Sequence, residues 1–385
     1  MSITPSETTA KVGDDVSFMI TTLNAGPDTV EVWVDASPAT SIDCPDGSTG
    51  ESCVELAGVL GAGQSRTVTA VQMVAPTSTG SLSETACAWS PELQSNQVCK
   101  TATIAVSQQT CTGGLPGATQ TFDNHTYTLE GEDTFTKNAP LGSFAQPATF
   151  GLDANSLPVV YTGDQGMGWT EYADGWPSTN SGGQPGYEPS TVQSVHDGVL
   201  DFTLHDGLGA SISPLPAGHR YQTYGAWSFC ERVPRDGGLP ADNGYANYEG
   251  WLYGYHQAPL LWPHDDQDFT SAESDFPESD LANGTPDFTA YAHHAGSTPQ
   301  DVFAIDAALP AYDPSQWHVY TQTWGPGFRS YYVDGQPVGT STANVWSEPE
   351  RWQLQLEPSV PNPNPAFTPG YGDVYVKWVW IGAWQ

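Results

Sequence analysis

Apolar and polar residues alternate with a period of two along most of the chain, as they do in β-strands with one buried face. Near the C-terminus, VYVKWVWIGAW places Val374, Val376, Trp378 and Trp380 on one face, where we interpret them as core. Such runs are separated by Gly, Pro and Asp turns, and residues 1–106 show no sustained helical periodicity. The pattern predicts an all-β protein.

Two Asp-Gly pairs between strand-like runs predict tight β-hairpins. One lies in TVQSVHDGVLDFTL at Asp197 and Gly198, and the other lies in RSYYVDGQPVGT at Asp334 and Gly335. Asp-Gly is favoured in two-residue hairpin turns because both turn residues take positive φ. Residues 151–190, in contrast, lack a strand pattern, and a loop region of that length in a compact domain is usually functional.

The same pattern predicts two domains. Residues 1–106 have the size and the short alternating strands of an immunoglobulin-like sandwich. Residues 107–119 are polar and rich in Gly and Thr, which predicts a linker. Residues 120–385 are again nearly all strand and loop but too many for a second such sandwich, so we expect a β-jelly roll of two large curved sheets.

Charge narrows the choice of partners. The chain has 44 acidic and 10 basic residues and a net charge of -34 at pH 7. This charge repels nucleic acid and anionic membrane surfaces, so neither is expected as a partner, whereas a neutral polysaccharide is compatible with it. No apolar run reaches the roughly 20 residues of a membrane-spanning helix, so membrane insertion is not expected. The start, MSITPSETTA, predicts no signal peptide in this chain.

The six cysteines are informative by their spacing. Cys44 lies close to Cys53, and Cys87 lies close to Cys99. Local pairs of this kind are typical of small disulfides in an extracellular β-domain, although six buried thiols are the alternative. The other two cysteines stay unassigned, and no spacing is CxxC, so zinc is not indicated.

The stretch ESDFPESD, residues 273–280, places four carboxylates within eight residues. Glu273 and Asp275 share one face of a strand because alternate residues point to the same side. Glu278 joins them only if a β-bulge inserts one extra residue, and Pro277 fits this position because Pro is tolerated in strands mainly at bulges or edges. We interpret Asp280 as solvated, and a solvated acidic loop is the alternative for the whole stretch.

Three clustered carboxylates suggest acid–base chemistry. They cannot all ionise independently, so one pKa should rise and give a proton donor beside a persistent anion. A retaining glycosidase needs such a nucleophile and a general acid/base side by side. We expect Glu278 to hold the proton beside an ionised Glu273.

The motif E-x-D-x-x-E on a bulged strand resembles glycoside hydrolase family 16. Three further stretches are similar to that family: GYHQAPLLWP (254–263), WHVYTQTWGPGFRSYYVDGQPVG (317–339) and GDVYVKWVWIGAW. The resemblance covers roughly residues 190 to 385. It implies a concanavalin A-like β-jelly roll that cleaves β-linked glucans, galactans or related polymers with retention of configuration.

By position in the motif, the resemblance implies that Glu273 is the nucleophile, Asp275 its partner and Glu278 the acid/base. It also implies that Trp262 stacks on a sugar and that His294, rather than His293, lies near the nucleophile. The alternatives are core packing for Trp262 and a hydrogen-bonded structural role for His294.

The resemblance implies no required cofactor. Family members often hold a structural calcium far from the cleft, and Asp373 is then a candidate ligand.

The first domain resembles a repeat module of bacterial surface proteins and some phage structural proteins. The similar stretches are VGDDVSFMITTLNAGPD, LGAGQSRTVTAVQ and TGSLSETACA. This resemblance implies a spacer or attachment module without chemistry, which could bind other virion proteins.

Two functions follow from the sequence. The first is a retaining endo-β-glycosidase that acts on a surface or storage polysaccharide, for which a phage tail or capsid decoration component is one setting. The second is a non-catalytic virion structural or adhesion protein whose jelly roll binds host glycans. Both predict an extracellular or virion-associated location.

Overall fold

The computed structural model describes residues 1–6, 8–11, 15–37, 41–43, 55–73, 80–90, 97–107, 111, 114–145, 157–178, 185–234, 252, 254–264, 272–281, 287–294, 300–358 and 372–385. The chain splits into two compact units, of which the first comprises Met1–Gln109 and Gln120–Thr126. The second unit comprises Thr110–Thr119 and Tyr127–Gln385. The predicted linker at 107–119 stays a prediction.

The first unit is built from strands alone within its described residues. They are β1 (Ser2–Pro5), β2 (Thr9–Lys11), β3 (Asp15–Leu23), β4 (Val30–Ser37), β5 (Ser41–Asp43), β6 (Glu55–Leu60), β7 (Ser65–Met73), β8 (Gly80–Trp89) and β9 (Val98–Ser107). One sheet has the order β1-β3-β7-β5 and the other the order β2-β9-β8-β4-β6. Alternate residues such as Val16, Phe18 and Ile20 are buried and join side chains of the second sheet in one core.

Two disulfides connect elements within the units. Cys87 and Cys99 are register partners on β8 and β9, and a disulfide joins them. This is one of the two local pairs predicted from spacing, and the other, Cys44 with Cys53, lies outside the described residues. In the second unit, a disulfide joins Cys111 to Cys230, which the spacing left unassigned.

The remaining elements belong to the second unit, except that Gln120–Thr126 of the first unit contains most of β10 and the start of β11. The strands continue with β10 (Thr119–Phe122), β11 (His125–Asp133), β12 (Val159–Thr162), β13 (Gly168–Glu171), β14 (Trp176–Pro177), β15 (Pro185–Tyr187), β16 (Gln193–His196), β17 (Val199–Leu204), β18 (Ala210–Leu215), β19 (Gly225–Arg232), β20 (Tyr255–Gln257), β21 (Leu260–Pro263), β22 (Ser274–Asp280), β23 (Thr289–Ala292), β24 (Asp301–Ala304), β25 (His318–Gly325), β26 (Phe328–Val333), β27 (Gln336–Ser341), β28 (Glu350–Pro358) and β29 (Gly372–Trp384). The described helices of the second unit are α1 (Pro189–Val192) and α2 (Ile305–Ala308), with a 3-10 turn at Pro216–Gly218.

Two large sheets pack face to face in this unit. We call the order β12-β13-β18-β28-β20-β22-β23-β24, with β21 beside β22 and β28, the front sheet. The back sheet has the order β11-β29-β19-β25-β26-β27, with β17 also beside β29. Aromatic rings pack between the two sheets. The ring centroids of Phe229 and Trp352 are 5.3 Å apart, and those of Phe276 and Tyr331 are 5.2 Å apart. The prediction of an all-β jelly-roll sandwich is confirmed.

Local sequence signals account for much of this fold. The two Asp-Gly pairs form the predicted hairpin turns with positive φ, of 50° and 75° at Asp197 and Gly198, between β16 and β17. The predicted core face of β29 is buried throughout. Residues 151–190, however, contain β12 to β15 rather than loop alone. These strands have two to four residues each and include Gly and Pro, which hid their alternation. No helix among the described residues is long and apolar enough to cross a membrane.

Candidate active site

The carboxylates of residues 273–280 lie on β22 and the residue before it. Asp275 pairs with Tyr291 on β23 and Glu278 pairs with Thr289, so three steps along β22 match two along β23. This is the predicted β-bulge, with Pro277 inside it. The extra residue returns Glu278 to the face of Asp275.

Register shows which other side chains share this face. Leu260 on β21 lies opposite Asp275 on one side and opposite Gln353 of β28 on the other. Trp262, two residues further along β21, points the same way and lies opposite Arg351. Trp262 is half-buried. The outward face of the front sheet therefore combines carboxylates, an aromatic ring and polar side chains.

The histidine beside the carboxylates is His293. Its backbone N–H donates to the carbonyl of Glu273 at 3.0 Å, which places the two residues opposite each other. Its Nε2 lies 3.8 Å from Oε2 of Glu273 and 3.5 Å from Oδ2 of Asp275. A positive charge on this ring would therefore be shared by both carboxyl groups.

The expectation that His294 faces the cleft is wrong. Because β23 pairs with β22 through Asp275 and Tyr291, odd-numbered residues of β23 point toward the carboxylates and His294 points away. Its Nε2 lies 3.1 Å from Oδ2 of Asp301 and 3.3 Å from Oγ of Ser341, and its side chain is buried. His294 thus has the hydrogen-bonded structural role that was its alternative.

Glu273 and Asp275 form a proton-holding pair. Burial, followed by repulsion from Asp275, raises the pKa of Glu273 to about 9. Burial and the charge of Glu278 raise the pKa of Asp275 well above its ordinary value. A hydrogen bond joins the two carboxyl groups. The pair therefore keeps at least one proton near neutral pH, whereas we expected the proton on Glu278 and a fully ionised Glu273.

Glu278 has a different neighbour, His256 of β20. Nε2 of His256 lies 3.3 Å from Oε1 of Glu278, and Nδ1 lies 2.9 Å from Oδ1 of Asp280. Burial lowers the pKa of His256, but the hydrogen bonds to Asp280 and Glu278 outweigh it and raise this pKa to about 10. The side chain of Asp280 is 66% exposed, as we expected of a solvated carboxylate, and it also binds the imidazole of His256.

A row of hydrogen-bonded polar side chains runs along β28 on the same face. Arg351 Nε donates to Gln353 at 3.2 Å, Gln353 donates to Gln355 at 3.0 Å, and Gln355 donates to Glu357 at 3.3 Å. All four side chains are at most 9% exposed. Sequence reasoning missed this row, although the alternation in RWQLQLE, polar at every second residue, is the signal that could have found it.

Aromatic side chains from residues 151–190 are hydrogen-bonded to both ends of this row. Tyr172 stacks between Trp176 and Tyr187, with ring centroids 5.0 and 5.5 Å apart. The Tyr172 hydroxyl accepts a hydrogen bond from Arg351 Nη2 at 2.9 Å, and the Tyr187 hydroxyl donates to Glu357 at 3.2 Å. The segment that lacked a strand pattern thus supplies aromatic side chains to the candidate site.

Among the described residues, one cluster of side chains could hold a metal ion. Glu273, Asp275 and His293 each offer one ligand atom within 4.8 Å of the others, the only such group in the described parts of the chain. Calcium takes six to eight oxygen ligands. Asp373 accepts a hydrogen bond from the Tyr375 hydroxyl at 3.1 Å, and its role as a calcium ligand stays a prediction.

Comparisons with known proteins complete the description. No protein-family model matches the chain, and no curated protein matches it. Among solved structures, it is similar to a Bacillus licheniformis β-glucanase at 15% identity, covering 66% of this chain and 98% of that chain with a TM-score of 0.42. It is also similar to an endo-β-1,3-glucanase from Pyrococcus furiosus, at 13% identity, 70% and 99% coverage and a TM-score of 0.45. A third similar structure is a laminarinase from Flavobacterium sp. UMI-01, at 16% identity and a TM-score of 0.42. The match covers 67% of this chain and 100% of that chain.

Proposed function

We propose that this chain is a retaining endo-β-glycosidase that acts on a neutral polysaccharide, with Glu273 as nucleophile and Glu278 as general acid/base. The observation that carries the proposal is the bulge in β22, which brings both residues and Asp275 to one face of the front sheet. The motif that resembles glycoside hydrolase family 16 agrees with this assignment. Trp262 on the same face supplies a ring for stacking on a sugar.

The chemistry follows in two steps. Protonated Glu278 gives its proton to the glycosidic oxygen while the Glu273 carboxylate attacks the anomeric carbon, so the C–O bond breaks and a glycosyl ester forms. Glu278, now ionised, takes a proton from a water molecule that attacks the same carbon and releases Glu273. Two inversions give net retention of configuration.

Asp275 takes the shared proton when Glu273 attacks in this scheme. The Glu273–Asp275 pair holds one proton near neutral pH, and only an ionised Glu273 can attack. The side chain of Asp275 is 6% exposed and that of Glu273 is 18% exposed, so the neutral form suits the deeper Asp275 better. Glu273 therefore attacks from the form of the pair in which Asp275 holds the shared proton and Glu273 carries the charge.

The test is cleavage of a panel of β-1,3-glucan, mixed-linkage β-glucan and β-galactan, measured as new reducing ends. The wild type should release oligosaccharides, and proton NMR of early products should show the β-anomer first. The Glu273→Gln/Glu278→Gln double variant is the control and should be inactive. Wild-type activity no greater than that of this variant on every polymer would contradict the proposal.

A second candidate is a glycan-binding jelly roll without turnover. The pKa of about 9 for Glu273 favours it, because a protonated carboxyl group is not a nucleophile. This candidate predicts that the wild type and the double variant bind the same polysaccharide equally in affinity electrophoresis and that neither releases reducing ends. A virion location, proposed for either candidate, is tested by proteomics of purified particles.

A further inference from the structure

The fourth carboxylate of ESDFPESD, Asp280, has no place in the chemistry above. It lies on β22 two residues beyond Glu278, so both side chains point to the same face. On that face His256 is the register partner of Asp280. Its ring reaches Asp280 through Nδ1 at 2.9 Å and Glu278 through Nε2 at 3.3 Å. One imidazole thus bridges the candidate acid/base and the surplus carboxylate.

We propose that Asp280, His256 and Glu278 form a carboxylate–imidazolium–carboxylate chain in which His256 is a positioning residue that limits the pH range where Glu278 donates a proton. The inference rests on the proposed function, since it concerns the acid/base of that reaction.

The contacts of the ring assign its charge. An ionised carboxylate only accepts hydrogen bonds, and a neutral imidazole has a single N–H. Because both ring nitrogens of His256 face carboxyl oxygens, both contacts are satisfied beside an ionised Glu278 and an ionised Asp280 only when both nitrogens carry a proton. The side chain of His256 is 14% exposed, so water is largely excluded as a substitute partner.

Groups on every neighbouring strand favour this charge. From β28, Glu357 is the other register partner of His256. Glu357 accepts hydrogen bonds from Gln355 and from the Tyr187 hydroxyl and adds its negative charge. From β22, Asp275 lies near enough to feel the charge of His256.

Glu273, His293 and, opposite Trp262, Arg351 are the further charged or titratable groups described on this face. Glu273 and His293 lie beyond Asp275, and His293 is turned toward Glu273 and Asp275 instead of Glu278. His256 is therefore the cation that faces Glu278 in the described part of the site.

The consequence for catalysis depends on the step. Glu278 must be protonated to act as the acid in the first step and ionised to act as the base in the second. An imidazolium beside it favours the ionised form. His256 therefore favours the second step, in which Glu278 is the base, and disfavours the first, in which Glu278 is the acid. Because the acid form is lost at lower pH, the basic limb of the activity profile lies at lower pH than it would without the ring.

The kinetic test measures kcat/KM against pH for the wild type and for His256→Gln on a cleaved polysaccharide. Removing a cation within 4–6 Å of a carboxyl group should move the basic limb of His256→Gln upward by about one to three pH units. Asp280→Asn should move it in the same direction by less, because the ring then keeps Glu278 but loses one anionic partner. The change should appear in kcat, with KM little altered.

His196→Gln is the matched control. His196 also lies between two carboxylates, 3.2 Å from Asp197 and 2.9 Å from Asp201, but on the β16–β17 hairpin and outside the candidate site. Its profile should superimpose on that of the wild type. If the basic limbs of His256→Gln and Asp280→Asn also superimpose on an active wild type, the positioning role is overturned.

A second measurement does not depend on activity. In ¹⁵N NMR at about pH 8, both ring nitrogens of His256 should have the shifts of an imidazolium, and the Glu278→Gln/Asp280→Asn double variant should show a neutral ring. The signal is assigned by its loss in His256→Gln. A neutral His256 in the wild type would overturn the chain of charges. If no polysaccharide is cleaved but the ring is charged, the proposed function fails and the charged chain stands.

Discussion

Glu273 and Asp275 compete for protons because they share a buried face with a third carboxylate. Each raises the energy of the other's ionised form, and burial adds to this effect. His293 acts in the opposite direction on Glu273. The charge of the nucleophile is therefore a property of the group of residues, and each member can be tested by its effect on the acidic limb of activity.

Asp275→Asn tests this coupling. The substitution removes a negative charge beside Glu273 and leaves an amide that can still donate a hydrogen bond to it. Glu273 should then ionise at lower pH, so the acidic limb of kcat/KM should move downward by about one to two pH units. The measurement is a pH profile on the cleaved polysaccharide. Asp306→Asn, at an exposed position on α2, is the control and should not shift it.

An acidic limb that stays in place or moves upward in Asp275→Asn would show that Asp275 does not raise the pKa of Glu273.

At the scale of elements, sequence alone predicted the acidic strand well because its information is local. Alternation placed Glu273 and Asp275 together, and Pro277 marked the bulge that adds Glu278. The choice between His293 and His294 was not local. It depends on the register of β23 against β22, and a slip of one residue exchanges the two faces.

The contact between Asp280 and His256 could not be predicted from local sequence either. His256 meets it only because β20 lies between β22 and β28, a strand order that no motif in the chain specifies. The stack around Tyr172 was hidden for a different reason, since strands of two to four residues carry too little alternation to be read. Long strands, tight turns and the bulge were thus predictable, and contacts between distant strands were not.

The bulge gives a sharp prediction for β22. Deleting Pro277 removes the extra residue, so Glu278 becomes the second residue after Asp275 and keeps both its face and its partner Thr289. Activity should stay within about tenfold of the wild type. Inserting one Ser after Pro277 should instead turn Glu278 to the opposite face and lower kcat by at least about a hundredfold, the usual contribution of a general acid.

Both bulge variants are compared at equal folded fraction, monitored by near-UV circular dichroism from the buried tryptophans. If the deletion is inactive and the insertion active, the face assigned to Glu278 is wrong.

At the scale of the whole molecule, some Asp and Glu side chains lie on the surface and others are buried. The net charge of -34 is repulsive, and burial raises the pKa of some carboxyl groups inside the second unit. Burial raises the pKa of Asp133 to about 7 and that of Glu231 to about 8. In the unfolded chain such groups ionise near pH 4. Folding of the second unit is therefore linked to proton uptake over the interval between these values.

This linkage predicts how stability depends on pH. Below about pH 4 the buried groups are protonated in both states, and as the pH rises only the unfolded chain loses their protons. The free energy of unfolding should therefore decrease between about pH 5 and about pH 7.5, and differential scanning calorimetry should show a falling Tm.

Salt separates the buried groups from the surface. At about 1 M salt the Debye length is about 3 Å, so surface repulsion is screened, but the buried protons remain and part of the decrease in Tm should persist. Glu231→Gln is the matched variant: its side chain can still accept the hydrogen bond that Gln257 donates at 2.5 Å, yet it cannot titrate. The decrease in Tm should be smaller in this variant than in the wild type. A Tm that is constant over this interval at high salt in both proteins would show that the buried carboxyl groups do not control the pH dependence.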